Sequence, residues 1–282
     1  MQCKDKYLDL STPKVMGILN VTPDSFSDGG AFNMLEDGLV QAGLMLSEGA
    51  DIIDIGGEST RPGAQNVSIQ QELDRVVPMI ELICQRFDTV ISIDASKAQV
   101  MTEAVNAGAS FINDVRALQE KGALDAAVAA KVPVCLMHMQ GQPRVMQQNP
   151  YYVDVVKDVI AFLQQRISIC RKAGIADEQI LVDPGFGFGK SLEHNYHMLA
   201  NLEEFQTLNV PVLAGMSRKS MIGNLLQREM GQRLAGNIAV ATIAAQKGAQ
   251  IIRVHDVKET TDAVKIINTI NTINACRNNN ER

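Results

Sequence analysis

Val15-Met-Gly-Ile-Leu-Asn20 is a short apolar run that ends in a polar residue, and it is the first of eight such runs along the chain. Buried parallel strands are continuous apolar runs of this kind, whereas half-exposed strands alternate. The other seven runs are residues 52–57, 90–94, 111–114, 134–138, 180–183, 212–217 and 251–255. Because each interval between them is long enough for one helix, the chain is predicted to alternate buried strands with helices.

Eight alternating strand and helix segments predict an α/β fold, a (β/α)8 TIM barrel in a single domain. The length of 282 residues fits this fold, and no Pro/Ser-rich linker divides the chain. Gly108 and Gly174 follow helical stretches, as left-handed helix caps do. We expect residues 1–13 to be an N-terminal extension at the barrel bottom, residues 14–275 to form the barrel, and residues 276–282 to be a polar tail.

Asp94, Asn113 and Asp183 each end a predicted strand, which is where (β/α)8 barrels build their active sites. An Asp in such a position can instead cap the N-terminus of the next helix. Three such groups on one barrel face favour a binding site, because two acceptors and an amide suit a flat ring with adjacent N–H donors. A pterin or a guanine edge is a ring of that kind.

Cationic residues follow the last two predicted strands, in Ser217-Arg-Lys-Ser220 and in Arg253-Val-His255. The loops after these strands frequently form the phosphate site of TIM barrels. Arg253 and His255 alternate with Val254, so both side chains point to the same face of the strand. The alternative is that Arg253 makes only an internal salt bridge, since a buried cation needs an anionic partner.

Gly185-Phe-Gly-Phe-Gly-Lys-Ser191 is rich in glycine but departs from the nucleotide-binding patterns. Pro184 stands where a P-loop needs glycine, and Lys190 breaks the dinucleotide pattern. We interpret this segment as the loop after the sixth strand, in which Phe188 offers a ring face. Residues 21–30 and 58–63 are rich in Gly, Pro, Ser and Asp, and we expect them to be mobile loops over the catalytic face.

Composition excludes several other functions. A formal net charge of −6 argues against a broad nucleic-acid or anionic-membrane surface, and no apolar run approaches the ~18 residues of a membrane span. The five cysteines show no Cys-x-x-Cys and the first residues lack a signal-peptide core, so we expect a reduced, cytoplasmic protein. No spacing indicates zinc or covalent nucleophilic chemistry. His138 ends the fifth predicted strand, and its side chain either lines the binding pocket or packs behind it.

Long motifs around these residues resemble those of a known family. Met16-Gly-Ile-Leu-Asn-Val-Thr-Pro-Asp-Ser-Phe-Ser-Asp-Gly-Gly30 and Asp54-Ile-Gly-Gly-Glu-Ser-Thr-Arg-Pro-Gly63 resemble the two signature stretches of the bacterial dihydropteroate synthases, which are pterin-binding TIM barrels. Segments 183–190, 215–220 and 252–256 extend the resemblance over nearly the whole chain. We see no departure from the family pattern within these motifs.

The resemblance implies a transferase of folate biosynthesis that joins 7,8-dihydropterin-6-ylmethyl diphosphate to 4-aminobenzoate, releasing pyrophosphate and 7,8-dihydropteroate. The implied path is SN1-like, because the electron-rich pterin stabilises a cation at its exocyclic methylene. The aryl amine is neutral at neutral pH, so no strong base is needed, and Mg²⁺ with cationic side chains neutralises the leaving diphosphate. The family also implies inhibition by sulfonamides and a homodimer.

The resemblance assigns roles by position. The residues implied at the pterin are Asp94, Asn113, Asp183, Gly215, Lys219 and Arg253, and those implied at the diphosphate are Asn20, Arg61, Arg253 and His255. The residues implied at 4-aminobenzoate are Phe26, Thr60, Arg61, Pro62, Phe188 and Ser220. The implied Mg²⁺ ligands are Asn20 and Asp28, and the implied catalytic groups are Asp94, Lys219, Arg253 and His255.

Two other functions are compatible with part of this pattern. A pterin-dependent methyltransferase barrel shares the pterin contacts, but it has no use for the Arg253 and His255 pair and usually carries a corrinoid-binding module, for which 282 residues leave no room. A catalytically silent barrel acting as a partner protein is expected to lose Lys219, or the Asn20 and Asp28 pair, and this chain keeps them all.

Overall fold

Eight parallel strands form the centre of the molecule. The computed structural model describes residues 1–22, 30–59, 66–141 and 150–280. In these residues a short antiparallel hairpin precedes the eight strands. The hairpin is β1 (Gln2–Cys3) and β2 (Lys6–Tyr7), and the eight strands are β3 (Lys14–Asn20), β4 (Ile52–Gly56), β5 (Val90–Asp94), β6 (Phe111–Asp114), β7 (Val134–Met137), β8 (Ile180–Asp183), β9 (Leu213–Ala214) and β10 (Ile251–Val254).

Helices follow the strands in alternation, as the spacing of the apolar runs predicts. In the described ranges they are α1 (Gly30–Ser47), α2 (Ile69–Arg86), α3 (Ala98–Ala107), α4 (Ala123–Ala130), α5 (Val155–Ala173), α6 (Leu192–Ala200), α7 (Ser220–Leu226), α8 (Leu234–Gln246) and α9 (Val257–Asn280). Gly108 and Gly174 cap α3 and α5 with φ of +128° and +102°, so both predicted helix ends are confirmed.

The sheet closes on itself. Its order is β8-β7-β6-β5-β4-β3-β10-β9, and a parallel bridge between Val182 and Val212 joins the two end strands. The Val182 amide donates to the Pro211 carbonyl over 3.0 Å at the same seam. The predicted (β/α)8 barrel in a single domain is therefore confirmed. All eight strands run the same way, so their C-terminal ends meet at one mouth.

The N-terminal hairpin lies against the opposite end of the barrel. Cys3 and Leu8 are buried in a cluster with Met16, Ile52 and Phe111, which lie at or near the beginnings of their strands. A separate and larger apolar cluster fills the space between strands and helices. The bottom of the barrel is thus sealed, and polar side chains are concentrated at the mouth.

The last helix, α9, runs past residue 275, where the sequence predicts a polar tail to begin, and continues to Asn280. In the described part of the chain, no helix combines the length and the apolarity needed to cross a membrane.

Candidate active site

A row of residues crosses four neighbouring strands at the mouth. The parallel register places Asn20 beside Gly56, Gly56 beside Asp94 and Asp94 beside Asn113. Because Gly56 has no side chain, there is open space between the Asn20 amide and the Asp94 carboxylate. A Cβ at Gly56 would lie 3.7 Å from Asn20 Oδ1 and 3.8 Å from Asp94 Oδ2. Residues far apart in the sequence therefore form one polar rim.

The Arg253 guanidinium lies between two carboxylates. Its Nε donates to Asp54 Oδ2 over 2.6 Å, and one terminal nitrogen donates to Asp94 Oδ2 over 2.8 Å. Asn113 Nδ2 donates to the same Asp54 oxygen over 3.2 Å. Asp54 is fully buried one layer below the rim, so it orients a cation and an amide from beneath.

Burial and pairing set the ionisation of this cluster. Burial alone lowers the pKa of Arg253, but Asp54 and Asp94 outweigh it and move that pKa upward, so the guanidinium stays charged. Burial raises the pKa of Asp94 to about 7, with Arg253 opposing this shift and Asp54 adding to it. A carboxylate of this kind is easily neutralised near neutral pH, and it is stabilised as an anion when positive charge develops beside it.

Asp183 and Lys219 form a second charged pair at the mouth. Asp183 Oδ1 accepts from the Gly185 amide over 2.7 Å, and a Cβ at Gly215 would lie 3.8 Å from Asp183 Oδ2. Burial raises the pKa of Asp183, while Lys219 opposes that shift. Burial lowers the pKa of Lys219 to about 8, with Asp183 as the largest opposing influence. The absence of a side chain at Gly215 thus leaves open space beside Asp183 Oδ2.

The glycine-rich segment after β8 wraps around Lys219. Lys219 Nζ donates to the Phe186 carbonyl over 2.7 Å and lies 4.5 Å from the centroid of the Phe188 ring. Gly185, Gly187 and Gly189 have φ of +72°, +84° and +65°, a region that disfavours side chains. The predicted ring face of Phe188 therefore exists, and it receives the ammonium group of Lys219.

His255 is held by a serine of the preceding loop. The Ser217 hydroxyl accepts from the His255 amide over 3.1 Å and lies 3.0 Å from His255 Nδ1. Lys219 is the N-cap of α7, and Ser220 follows as its first, exposed residue. The loops after β9 and β10 are therefore joined at the point where the sequence predicts a phosphate site.

Ionic contacts hold the described stems of the 58–68 segment. Glu58 Oε2 accepts from Lys97 Nζ over 2.6 Å, and Glu58 Oε1 accepts from the Val67 amide over 3.3 Å. The same Lys97 nitrogen donates to the buried Glu72 over 2.5 Å. Burial raises the pKa of Glu72, with Lys97 opposing. One glutamate thus ties together the two ends of a segment that carries predicted binding residues.

The structure places most predicted site residues at this mouth and leaves some outside its description. Those at the mouth are Asn20, Asp94, Asn113, Asp183, Phe188, Gly215, Lys219, Ser220, Arg253 and His255. Phe26, Asp28, Thr60, Arg61 and Pro62 lie outside the described residues. Their roles, and those of the residues at the mouth, stay predictions.

The internal salt bridge considered for Arg253 from sequence is present, and it identifies a residue that sequence reasoning missed. Asp54 is the first residue of one of the signature stretches, but the sequence patterns assign it no role. The sequence feature that indicates a role for Asp54 is its carboxylate inside the apolar run 52–57, because a charge buried in a strand needs a partner. The run itself does not reveal that the partner is Arg253.

The donor atoms at the rim can be compared with what Mg²⁺ requires. Within the described residues, no cluster of three or more His, Cys, Asp or Glu side chains is arranged to hold a metal ion. Mg²⁺ prefers oxygen ligands and is commonly held by one or two protein groups, water and substrate phosphates. The amide oxygen of Asn20, open toward Gly56 and Asp94, fits a contribution of this limited kind.

Comparisons with known proteins agree with this geometry. A family profile described as "Pterin binding enzyme" matches residues 16–255. The dihydropteroate synthase of Haemophilus influenzae is 59% identical over 266 residues, which cover 94% of this chain and 97% of that protein. The dihydropteroate synthase of Escherichia coli is 58% identical over 260 residues, covering 92% of each protein.

Solved structures give the same result. The Yersinia pestis dihydropteroate synthase in a sulfonamide drug complex superposes with a TM-score of 0.93 at 58% identity, covering 96% of this chain and 99% of that one. The Xanthomonas albilineans dihydropteroate synthase with 4-aminobenzoic acid superposes with a TM-score of 0.91 at 49% identity, covering 95% and 97%.

Proposed function

The chain belongs to the family of pterin-binding enzymes, and from that premise we propose that it is a dihydropteroate synthase. It is a transferase that joins 7,8-dihydropterin-6-ylmethyl diphosphate to 4-aminobenzoate and releases pyrophosphate and 7,8-dihydropteroate. The observation that carries this proposal is the convergence of Asp94, Asn113 and Asp183 with Lys219 and Arg253 at one barrel mouth, in a chain that is 58% identical to a known synthase.

Pterin recognition is assigned to the acceptors and donors around the pocket. Asp183 accepts from the adjacent N–H donors of the ring, because its charged carboxylate forms such bonds side by side. Asn113, Lys219 and Gly215 complete the binding surface, with Lys219 donating to an acceptor of the ring. The Asp54 carboxylate beneath them supports this assignment, since it fixes the orientation of Asn113.

The reaction breaks the bond between the exocyclic methylene carbon and the diphosphate oxygen, and both electrons leave with the diphosphate. The pterin ring delocalises the resulting positive charge, and Asp94 stabilises it as a nearby anion. The aryl amine nitrogen then forms the new C–N bond and loses one proton to solvent or to the leaving group. A carboxyl whose pKa is raised to about 7 suits this role, because developing cationic charge favours its ionised form.

Diphosphate binding is assigned to Arg253, His255 and Arg61. Asn20 and Asp28 would hold Mg²⁺ together with the diphosphate, and the bound ion would neutralise charge on the leaving group. We expect a chelator to abolish turnover while binding of a pterin without diphosphate stays nearly unchanged. An equal loss of both properties would contradict the assignment.

The 4-aminobenzoate pocket is assigned to Phe188 and Ser220 together with Phe26 and the 60–62 segment. The Phe188 ring supports this assignment, because it is ordered against the Lys219 ammonium at the edge of the pterin site. Sulfonamides resemble 4-aminobenzoate in shape, and the similar enzyme of Yersinia pestis forms a complex with one. We therefore propose that sulfonamides compete with 4-aminobenzoate here.

The test of the proposed function is pyrophosphate release from the pterin diphosphate, measured with and without 4-aminobenzoate. Release that depends on 4-aminobenzoate, accompanied by formation of 7,8-dihydropteroate, is the expected result. Neither a pterin-dependent methyltransferase nor a silent partner barrel is supported by the similar proteins. A preparation that binds the pterin but releases no pyrophosphate would contradict the synthase assignment.

The chain is further proposed to be a cytoplasmic homodimer in which residues 14–275 form the catalytic barrel unit. Exposed apolar side chains on neighbouring elements support the dimer: Leu225 and Leu226 in α7, Met230 in the following turn, and Leu234 and Ile243 in α8.

Analytical ultracentrifugation is expected to give twice the mass of the chain. Leu226→Glu is expected to shift the protein to monomer.

A further inference from the structure

Lys190 follows Gly189 in the glycine-rich segment, and its amine is surrounded by hydrogen-bond acceptors. The residue is 2% exposed. Its Nζ lies 2.8 Å from the Gly185 carbonyl, 3.1 Å from the Phe188 carbonyl and 2.9 Å from His138 Nδ1. The His138 carbonyl is a fourth acceptor, 3.5 Å away, and burial lowers the pKa of this amine well below its usual range. The amine therefore joins both ends of the segment to the end of β7.

His138 meets the Lys190 amine through a neutral ring. Burial, together with the nearby Lys190, lowers the pKa of His138 to about 2, so the ring is neutral. Nδ1 is the ring nitrogen that faces the Lys190 amine, and the contact between them links the end of β7 to the glycine-rich segment. The Phe162 ring packs edge-on against the His138 ring at 4.9 Å. His138 thus gives Lys190 an anchor outside the glycine-rich segment.

The two carbonyls bound by Lys190 bracket the groups that contact Lys219. The Phe186 carbonyl accepts from Lys219 Nζ, and the Phe188 ring lies beneath that nitrogen. Both residues lie between glycines with positive φ, whose backbone has little conformational restriction of its own. Their position therefore depends on hydrogen bonds to other groups. Lys190 Nζ binds two carbonyls of the segment and also contacts His138, which lies 52 residues away.

We propose that Lys190 is a positioning residue of the synthase reaction, which holds segment 185–189 so that the Phe186 carbonyl and the Phe188 ring face Lys219. The inference rests on the proposed function, because Lys219 and Phe188 are assigned there to the pterin and to 4-aminobenzoate. Lys190 acts only through these groups.

The proposed role connects Lys190 to the ionisation of Lys219. The titratable groups that interact with Lys219 are Asp183 from β8, Arg253 from β10, Asp94 from β5, and Lys190 from the glycine-rich segment. Burial is the largest influence, and it lowers the pKa of Lys219 to about 8. Pterin binding that needs the protonated amine is therefore lost as pH rises through this value. A loosened segment admits water, which weakens the effect of burial and moves the loss to higher pH.

The experiment compares Lys190→Met with Tyr152→Phe in the full-length protein. Tyr152 donates to the Gly189 carbonyl over 2.9 Å, so the control removes one hydrogen bond to the same segment without touching the contacts of Lys219. We measure pterin affinity as a function of pH, in which the alkaline limb is the loss of binding at high pH. We also measure the Michaelis constants for both substrates. For Lys190→Met we expect the limb to move up by about one pH unit. The Michaelis constant for 4-aminobenzoate is expected to rise about fivefold, and that for the pterin diphosphate by less than about twofold at neutral pH.

The control is expected to leave the limb and the ratio of the two Michaelis constants unchanged. If Lys190→Met only lowers the melting temperature and otherwise matches the control, Lys190 has a structural role alone and the proposal is wrong. Should Lys190→Met fail to fold, the second variant is His138→Phe, which keeps a ring against Phe162 and removes the Nδ1 contact with Lys190. It is expected to shift the limb upward by a smaller amount, and no shift would overturn the proposal.

The parent enzyme is assayed first for pyrophosphate release. A parent that releases none contradicts the proposed function. An active parent whose variants show an unmoved limb and an unchanged ratio of Michaelis constants contradicts the role of Lys190 alone.

Discussion

Asp183 uses one carboxylate oxygen for the fold and presents the other to the pocket. Oδ1 accepts from the Gly185 amide, whereas Oδ2 lies next to the space left by Gly215. Burial raises the pKa of this carboxyl, but Lys219 and the Gly185 amide act in the opposite direction. Because one oxygen makes the turn contact and the other faces the pocket, the binding role can be separated from the helix-cap role by experiment.

We expect Asp183→Asn to weaken pterin binding at least about tenfold, because a hydrogen bond to a charged group contributes about 1.5–3 kcal/mol. The asparagine oxygen can still accept from Gly185, while its NH₂ group faces the N–H donors of the ring. Titration with a pterin ligand measures the effect, and a melting curve serves as the folding control. Unchanged affinity would mean that Asp183 only holds the turn.

Asp54 is the carboxylate on which the Arg253 and Asn113 contacts depend. We expect Asp54→Asn to lower the free energy of unfolding by about 3 kcal/mol, because it leaves a buried guanidinium with one carboxylate partner instead of two. Pterin affinity is expected to fall with it, since Asn113 loses its charged acceptor. Chemical denaturation and pterin titration measure the two effects.

Asp51→Asn is the matched control for Asp54, since Asp51 lies just before the same strand. Its carboxylate is 34% exposed and 3.7 Å from Lys14 Nζ, and its other oxygen accepts from the Val15 amide. An exposed pair of this kind contributes about 1 kcal/mol or less. Equal losses in the two variants would show that Arg253 does not depend on its buried partner.

At the scale of elements, the glycine-rich segment after β8 is shaped by close backbone approach. A Cβ at Gly185 would lie 1.8 Å from the His138 carbonyl oxygen, so no side chain fits while β7 and this segment keep their positions. The Gly187 amide donates to Asn195 Oδ1 over 2.6 Å, which ties the segment to α6. The segment is therefore a rigid connection between two strands and a helix.

A comparison of Gly185→Ala with Gly174→Ala separates the effect of this close backbone approach from the effect of backbone strain on stability. Both glycines have positive φ, but a Cβ at Gly174 meets no atom within 4 Å. We expect Gly174→Ala to cost about 1–2 kcal/mol from the left-handed conformation alone, with activity retained. Gly185→Ala is expected to cost more and to reduce pterin binding. Thermal unfolding and pterin titration compare the two, and equal effects would argue against the close packing at His138.

In the molecule as a whole, the proposed substrate sites combine residues from loops that follow different strands. The proposed 4-aminobenzoate pocket combines Phe188 with residues of the 60–62 segment, and Arg61 of that segment is assigned to the diphosphate. Ordering a segment of chain costs conformational entropy, which diphosphate contacts offset. Binding of the second substrate is therefore expected to depend on the diphosphate.

We predict that 4-aminobenzoate binds detectably only when pyrophosphate and Mg²⁺ are present. Calorimetric titration with and without pyrophosphate measures this dependence. A titration with Mg²⁺ alone is the control for direct effects of the ion. Equal affinity in all conditions would indicate a pocket that is formed before the diphosphate arrives.

Local patterns along the chain are sufficient to predict the barrel and the position of its mouth. Continuous apolar runs, helix-ending glycines such as Gly108, and polar residues at strand ends such as Asp94 are local features, because strands, caps and turns depend on a few neighbouring residues. The long motifs determined the family, because they carry the residue types at the spacing that the reaction needs.

The pairing of the buried charges, in contrast, follows from the closed barrel and cannot be found from local patterns. Arg253 is 199 residues from Asp54 and 159 from Asp94, and Lys190 is 52 residues from His138. No local pattern records such pairs, because a buried charge selects its partner from whatever side chains the closed barrel brings within hydrogen-bond distance. The same closure sets the pKa values of Asp94 and Lys219, since burial, the largest cause in both, exists only after the strands and loops have packed together.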